Sequence, residues 1–341
     1  RAWHHGRYRA TRSTRAREIL TELMPSLLKA LAATADPDTT FLRFDAFLKG
    51  LPSGVQLFSL FQAHPDLFQL VGEIMGTAPR LARHLSNRPT VLDSVLTPDF
   101  FAPLPDAAAL EAELDGLLYA AGGVEEILDV SRRWAHDRRF QVGVHRLRQL
   151  TETAVAARCL SDIAETALAC LYPRVEREFA SRHGRLAGAE MAVVALGKLG
   201  SREMMATSDL DLVFVYHPPV DAETLSDGDK PLSAPQYFAR LGQRLINAIS
   251  AMTAEGRLYE VDMRLRPSGN SGPIATTVEG FERYYRESAW TWEYMALTRA
   301  RVVVASSQVF RDDVGKSIAA VLNLPRSADD LLRDVAEMRA R

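Results

Sequence analysis

The sequence predicts an α+β protein: a helical N-terminal domain, then a mixed sheet with covering helices, then a helical C-terminal segment. Three observations carry that expectation. Apolar residues recur at helical spacing from the start to about residue 180. Two short apolar runs, Met191–Leu196 and Leu210–Tyr216, read as strands buried on both faces. Residues 258–267 alternate apolar and polar, the period of a half-buried strand.

Taken in order, the first seventeen residues hold six arginines and no acid, beginning Arg1-Ala2-Trp3-His4-His5. We read them as a linker and helix start whose arginines face solvent or an acidic neighbour, in preference to a nucleic-acid arm. Leu67, Leu70, Val71 and Ile74 form one helical stripe, and Leu110, Leu114, Leu117 and Leu118 form another. Pro65, Pro79, Pro89, Pro105 and Pro173 are expected near helix starts or ends, and Asp106 as an N-cap. After the two apolar runs, Pro218 and Asp221–Lys230 make a loop. Gln236–Met252 returns to helix, with Phe238, Leu241, Leu245, Ile249 and Met252 on one stripe. In the 258–267 run Tyr259, Val261, Met263 and Leu265 face one way, and Glu260, Asp262, Arg264 and Arg266 the other. Ser268–Pro273 is a glycine-rich loop. Helices resume near Thr277 and break at 301–306. The expected domains are 1–150 (helical), 151–308 (catalytic) and 309–341 (the start of a truncated helical, regulatory region).

Composition narrows the class. With 47% hydrophobic and 25% charged residues the chain is of globular type, and 341 residues suffice for two or three domains. A net charge of −2 gives no bulk electrostatic reason to bind nucleic acid or a membrane surface. No apolar run approaches the ~18 residues of a spanning helix. Cys159 and Cys170 lie eleven apart on a helical pattern, about 16 Å, too far for a disulfide, so reduced thiols in the cytoplasm are expected. Because the chain opens at Arg1 without a methionine, we expect it to be part of a longer polypeptide.

The chemistry centres on GKLGSREMMATSDLDLVFVY, Gly197 to Tyr216. Asp209 and Asp211, at i and i+2 on a strand, would project from one face. Like charges ~4 Å apart cost roughly 4 kcal/mol at an effective dielectric near 20, and a divalent cation relieves that repulsion. Asp262 supplies a third carboxylate, with Arg264 and Arg266 placed for a phosphate group. The turn Gly197-Lys198-Leu199-Gly200-Ser201 leaves backbone N–H groups, a lysine and a hydroxyl for an anion, and Ser208 stands beside the acids. It fits neither the P-loop nor the GxGxxG pattern. Against the metal reading stand a Ser208/Asp209 helix cap and a plain Asp262–arginine ion pair. The eight histidines show no zinc spacing, and His217 reads as a loop residue. Trp290 and Trp292 could stack on an adenine, although we expect at least one to anchor helix packing.

A glycine turn, a D-x-D on a strand and a third aspartate further on together resemble the nucleotidyltransferase fold of the DNA polymerase β superfamily. More narrowly, GKLGSREMMATSDLDL, LYEVDMRLRPSG and AWTWEYMALTRARVV resemble the glutamine-synthetase adenylyltransferase family, over most of the chain from Arg1 to about Val304. Ser201 stands where that family usually has a second glycine, and serine is the usual residue there across the wider superfamily. That family carries two catalytic halves: one attaches AMP to a tyrosine of glutamine synthetase, the other removes it by phosphorolysis. Tyr259-Glu260 and Trp290-Thr291-Trp292-Glu293 resemble the adenylylating half. The resemblance implies two Mg²⁺ ions held by Asp209, Asp211 and Asp262, with Asp262 on the ion nearer the attacking group. It further implies ATP as substrate, phosphates cradled by Gly197, Gly200 and Ser201, glutamine synthetase as protein substrate and a PII-type protein as regulator. The rival readings are the deadenylylating half and a non-catalytic module that binds nucleotide or PII.

Overall fold

The computed structural model describes every residue except 1, 2, 4, 222 and 341, and gives only the backbone of 330, 339 and 340. Arg1, Ala2 and His4 of the basic opening therefore lie outside the described residues. The chain divides into two compact units: Arg1–Leu104 with Asp137–Glu152, and Pro105–His136 with Thr153–Arg341. Residues 105–136, grouped with the N-terminal helices on sequence grounds, fall in the second unit.

The first unit is helical. Its helices Thr14–Ala32 and Pro37–Gly50 are capped by Ser13 and Asp36, whose side chains accept from Ala16 N and Thr39 N. Pro65 and Pro79 open the helices Pro65–Thr77 and Pro79–Asn87, where the missing N–H costs nothing. Leu67, Leu70, Val71 and Ile74 are buried as their spacing requires, against Phe44, Phe47, Phe58, Phe61 and Phe68.

The second unit holds the sheet. Asp106 caps the helix Ala107–Tyr119 by accepting from Ala109 N at 2.9 Å. Of its leucine stripe, Leu110, Leu114 and Leu118 are buried, while Leu117 is exposed because it lies off that face. A long helix, Thr153–His183, continues through Pro173 and carries both cysteines, buried and free. Pro173 therefore marks no helix end. The five strands are β1 (Glu190–Ala195), β2 (Leu210–His217), β3 (Val261–Asp262), β4 (Ala275–Thr277) and β5 (Arg301–Ala305), in the order β3-β2-β1-β5. β1 pairs antiparallel with β2 and β5. β3 and β4 share one edge of β2 in parallel, β3 at 210–211 and β4 at 214–216. The sheet is thus mixed and the fold α+β. Every residue from Met191 to Leu196 is buried, which explains the unbroken apolar run.

Three expectations need correcting here. The 258–267 run is not one strand: only Val261 and Asp262 pair, because Asp262 Oδ1 accepts from Arg264 N at 2.8 Å and bends the chain into a turn. The break at 301–306 is a strand, β5, whose Val302 packs on the second core and whose Val303 and Val304 are buried. The helix expected over 236–252 is Ala234–Ser250, so Met252 lies beyond it and is exposed.

Candidate active site

Gly197–Gly200 forms a single helical turn directly after β1, and antiparallel pairing sets the start of β2 beside it: Leu196 N donates to Asp211 O at 2.9 Å. Gly197 has φ +52°, and a Cβ built there would lie 2.0 Å from Asp211 Oδ2. Only glycine lets that carboxylate rest against the turn. A Cβ on Gly200 would lie 2.0 Å from the carbonyl of Arg299. The turn is closed in from both ends.

Asp211 and Asp262 are register partners on the parallel pair β2–β3, side by side at the strand spacing of about 4.8 Å. Asp209 is exposed and precedes β2, so it is not itself on the strand. The Asp211 carboxylate is half-buried and makes no side-chain hydrogen bond or ion pair among the described residues. Burial pushes its pKa up to about 6, and the charges of Asp209 and then Asp262 push the same way. Arg264 and Lys198 oppose the rise. Asp262 has the opposite balance. Hydrogen bonds from Arg264, side chain and backbone, hold its carboxyl below the usual range, with Arg264 Nε at 2.7 Å.

The three acids are neighbours, yet among the described residues no group of three or more His, Cys, Asp or Glu is assembled as a metal site. The Asp262 carboxylate is turned onto Arg264. The donor set still suits a hard divalent cation, since carboxylate oxygens are its preferred ligands and Asp211 has no ion-pair partner among the described residues.

The other candidate residues are placed as follows. Lys198 is exposed, its ammonium 3.8 Å from Met205 Sδ. The Ser201 hydroxyl lies 3.1 Å from Gly197 O and 2.9 Å from Glu203 Oε2, able to donate to one at a time. Ser208 Oγ accepts from Met205 N at 3.0 Å, bracing the loop before Asp209. Arg266 is engaged with its own loop, donating to Met263 O at 2.8 Å and to Gly272 O. His217 ends β2 in solvent. Trp290 and Trp292 are 71% and 44% exposed, so neither is the packing anchor expected of at least one. Glu293 takes that role, fully buried and accepting from Tyr284 Oη at 2.7 Å and Trp290 N at 2.8 Å.

Two supporting arginines escaped the sequence reading. Arg132, with no exposed surface, donates to the carbonyls of Ala248, Ala251 and Gly256. It closes the end of the Ala234–Ser250 helix and the turn from which the chain runs to Asp262, where a cation suits the helix dipole. Arg301, at the start of β5, reaches the carbonyls of Leu199 and Gly200. An isolated arginine carries no sequence signal for either task.

The family model for glutamate-ammonia ligase adenylyltransferase matches residues 68–313. The chain belongs to this family. Relatives described as bifunctional glutamine synthetase adenylyltransferase/adenylyl-removing enzymes align along its whole length. The protein of Mesorhizobium japonicum is 48% identical over 340 residues, all of this chain and 34% of the relative. That of Brucella melitensis biotype 1 is 50% identical over 339 residues, 99% of this chain and 34% of the relative. That of Agrobacterium fabrum is 45% identical over 340 residues. The chain spans about a third of the length of the curated relatives it matches. Among the described residues no helix is long and apolar enough to cross a membrane.

Proposed function

We propose that this chain is the adenylylating unit of its family, moving AMP from ATP to a tyrosine hydroxyl of glutamine synthetase in the cytoplasm. The observation that carries the reading is Asp211: a half-buried carboxylate without a partner, pressed on the glycine turn and abreast of Asp262. The names of the relatives support the substrate, and the Tyr259-Glu260 and Trp290–Glu293 motifs support this half over the adenylyl-removing one.

Asp209, Asp211 and Asp262 would hold two Mg²⁺ ions, Asp262 on the attacking side. Bound there, the ions would neutralise phosphate charge and favour the phenolate of a tyrosine whose pKa is ordinarily about 10. The turn Gly197–Gly200 would offer its backbone N–H groups to the β and γ phosphates, and glycine at 197 keeps Asp211 close beside them. Lys198 and Ser201 add a cation and a hydroxyl at its rim. Asp262 is freed for its role when Arg264, which already lies in the field of all three acids, turns toward phosphate. The rate gain comes from positioning and charge, with no covalent protein intermediate. A PII-type regulator and a regulatory role for residues 309–341 belong to the same reading.

One assay tests it. The chain, labelled ATP, Mg²⁺ and glutamine synthetase should yield labelled protein. Release of AMP from pre-adenylylated glutamine synthetase on adding phosphate, without forward labelling, would establish the opposite half. Nucleotide binding without turnover in either direction would establish a non-catalytic module.

A further inference from the structure

The glycine turn is held from behind by a single helix. Arg301 Nε donates to Gly200 O at 3.1 Å, and Nη2 donates to Leu199 O at 3.0 Å. The same guanidinium pairs with both carboxylate oxygens of Glu165, with Nη1 at 2.5 Å from Oε2. Glu165 lies on the Thr153–His183 helix. Three residues earlier Asp162 pairs with Arg202, just past the turn, and Ser161 Oγ accepts from Met204 N at 3.3 Å. One face of the helix therefore ties down residues 199–204.

Leu199 and Gly200 are buried and their carbonyls end the turn; Leu199 O also accepts from Arg202 N at 3.1 Å, while Gly200 O has its donor in Arg301. A two-pronged arginine–carboxylate pair fixes the plane of the guanidinium, not only its charge. The fork aimed at the two carbonyls is consequently set by Glu165. On the far side the turn meets Asp211 Oδ2, and Gly200 sits under the carbonyl of Arg299. Any slackening of the fork moves the turn relative to the carboxylate that it touches.

We propose that Arg301, oriented by Glu165, is a positioning residue that sets the glycine turn for the phosphates of the nucleotide. This rests on the nucleotidyltransferase reading of the site. Lysine at 301 keeps the charge but has one nitrogen to offer, so it cannot serve both carbonyls and the acid in a plane. Glutamine at 165 keeps the shape and drops the charge.

The test is equilibrium binding of a fluorescent ATP analogue with Mg²⁺, alongside kcat and separate KM values for ATP and glutamine synthetase. Arg301→Lys and Glu165→Gln should each weaken nucleotide binding by on the order of ten-fold and raise KM for ATP, since a displacement of about 1 Å is costly. KM for the protein substrate should stay within two-fold. Arg174→Lys, which alters an ion pair from that same helix to Asp115 on the Ala107–Tyr119 helix, should leave nucleotide affinity unchanged. Affinity is expressed per folded molecule, with melting curves for each variant, so partial unfolding does not mimic the effect. Wild-type affinity in both folded variants overturns the positioning role. A wild-type chain that binds no nucleotide overturns the reading beneath it, and this role with it.

Discussion

Replacing Asp211 by asparagine should stabilise the folded chain while abolishing its activity, and only in part of the pH range. The group titrates near 6 when folded and near 3.8 when unfolded, so the folded state binds its proton more tightly. Its contribution to stability is fully present below about pH 4 and is lost as pH rises through about 6. At pH 8 the wild-type chain carries the whole penalty. A rise from 3.8 to about 6 corresponds to a ceiling of about 3 kcal/mol. Because the side chain is half-exposed, solvent screening brings the expected effect down to about 1 kcal/mol. For a unit of this size that is a rise in Tm of about 2–4 °C. The assay is thermal unfolding of both proteins in EDTA at pH 8 and at pH 3.5–4. Asp211→Asn should melt higher at pH 8, and the gain should vanish at the lower pH. Adding Mg²⁺ should raise the wild-type Tm and leave the variant unmoved. A variant less stable than wild type at pH 8, or equally favoured at both pH values, would refute the electrostatic account of this site.

Other perturbations follow from the same contacts. Gly197→Ala places a methyl on Asp211 at a positive φ, so nucleotide binding should be lost along with about 1–3 kcal/mol of stability, read by calorimetry and urea unfolding. Removing the buried guanidinium in Arg132→Met takes the donor from the carbonyls of Ala248 and Ala251 and leaves Gly256 O with Thr253 N. Urea midpoints should report a loss of about 2–3 kcal/mol, with a smaller loss for Arg132→Lys. Phe47→Ala opens a cavity in the first unit and should cost about 3–5 kcal/mol in the unfolding transition of that unit. Trp290→Phe and Trp292→Phe, both on exposed side chains, should shift Tm by less than about 1 °C.

Much of the frame was legible because the signals are strong where burial is complete. Met191–Leu196 and Leu210–Tyr216 lie in the middle of the sheet, and no polar position interrupts them except Asp211, which lies at the candidate site. Leu67, Leu70, Val71 and Ile74 gave a helix face for the same reason. The failures have physical causes too. Alternation over 258–267 promised a strand, but the Asp262 carboxylate bonds the backbone two residues on and bends the chain. Arg301–Ala305 carries only five residues and an arginine at its head, too little to separate a strand from a helix break. Leu117 and Met252 matched the period yet sit where no neighbour covers them. At the candidate site, the sequence named the acids and the glycines but not Arg301, Glu165 or Arg132, because contacts to backbone carbonyls, or between side chains, across more than a hundred residues leave no local pattern.

β3 is two residues long. Asp211 sits within an eight-residue strand flanked on both edges, whereas Asp262 hangs from the briefest ladder in the sheet, with a turn immediately behind it. Amides around Val261 should therefore exchange with solvent long before those of Val213. One acid is bolted to the frame and the other rides on a short tether, so a shift of the second would leave the long strands in register.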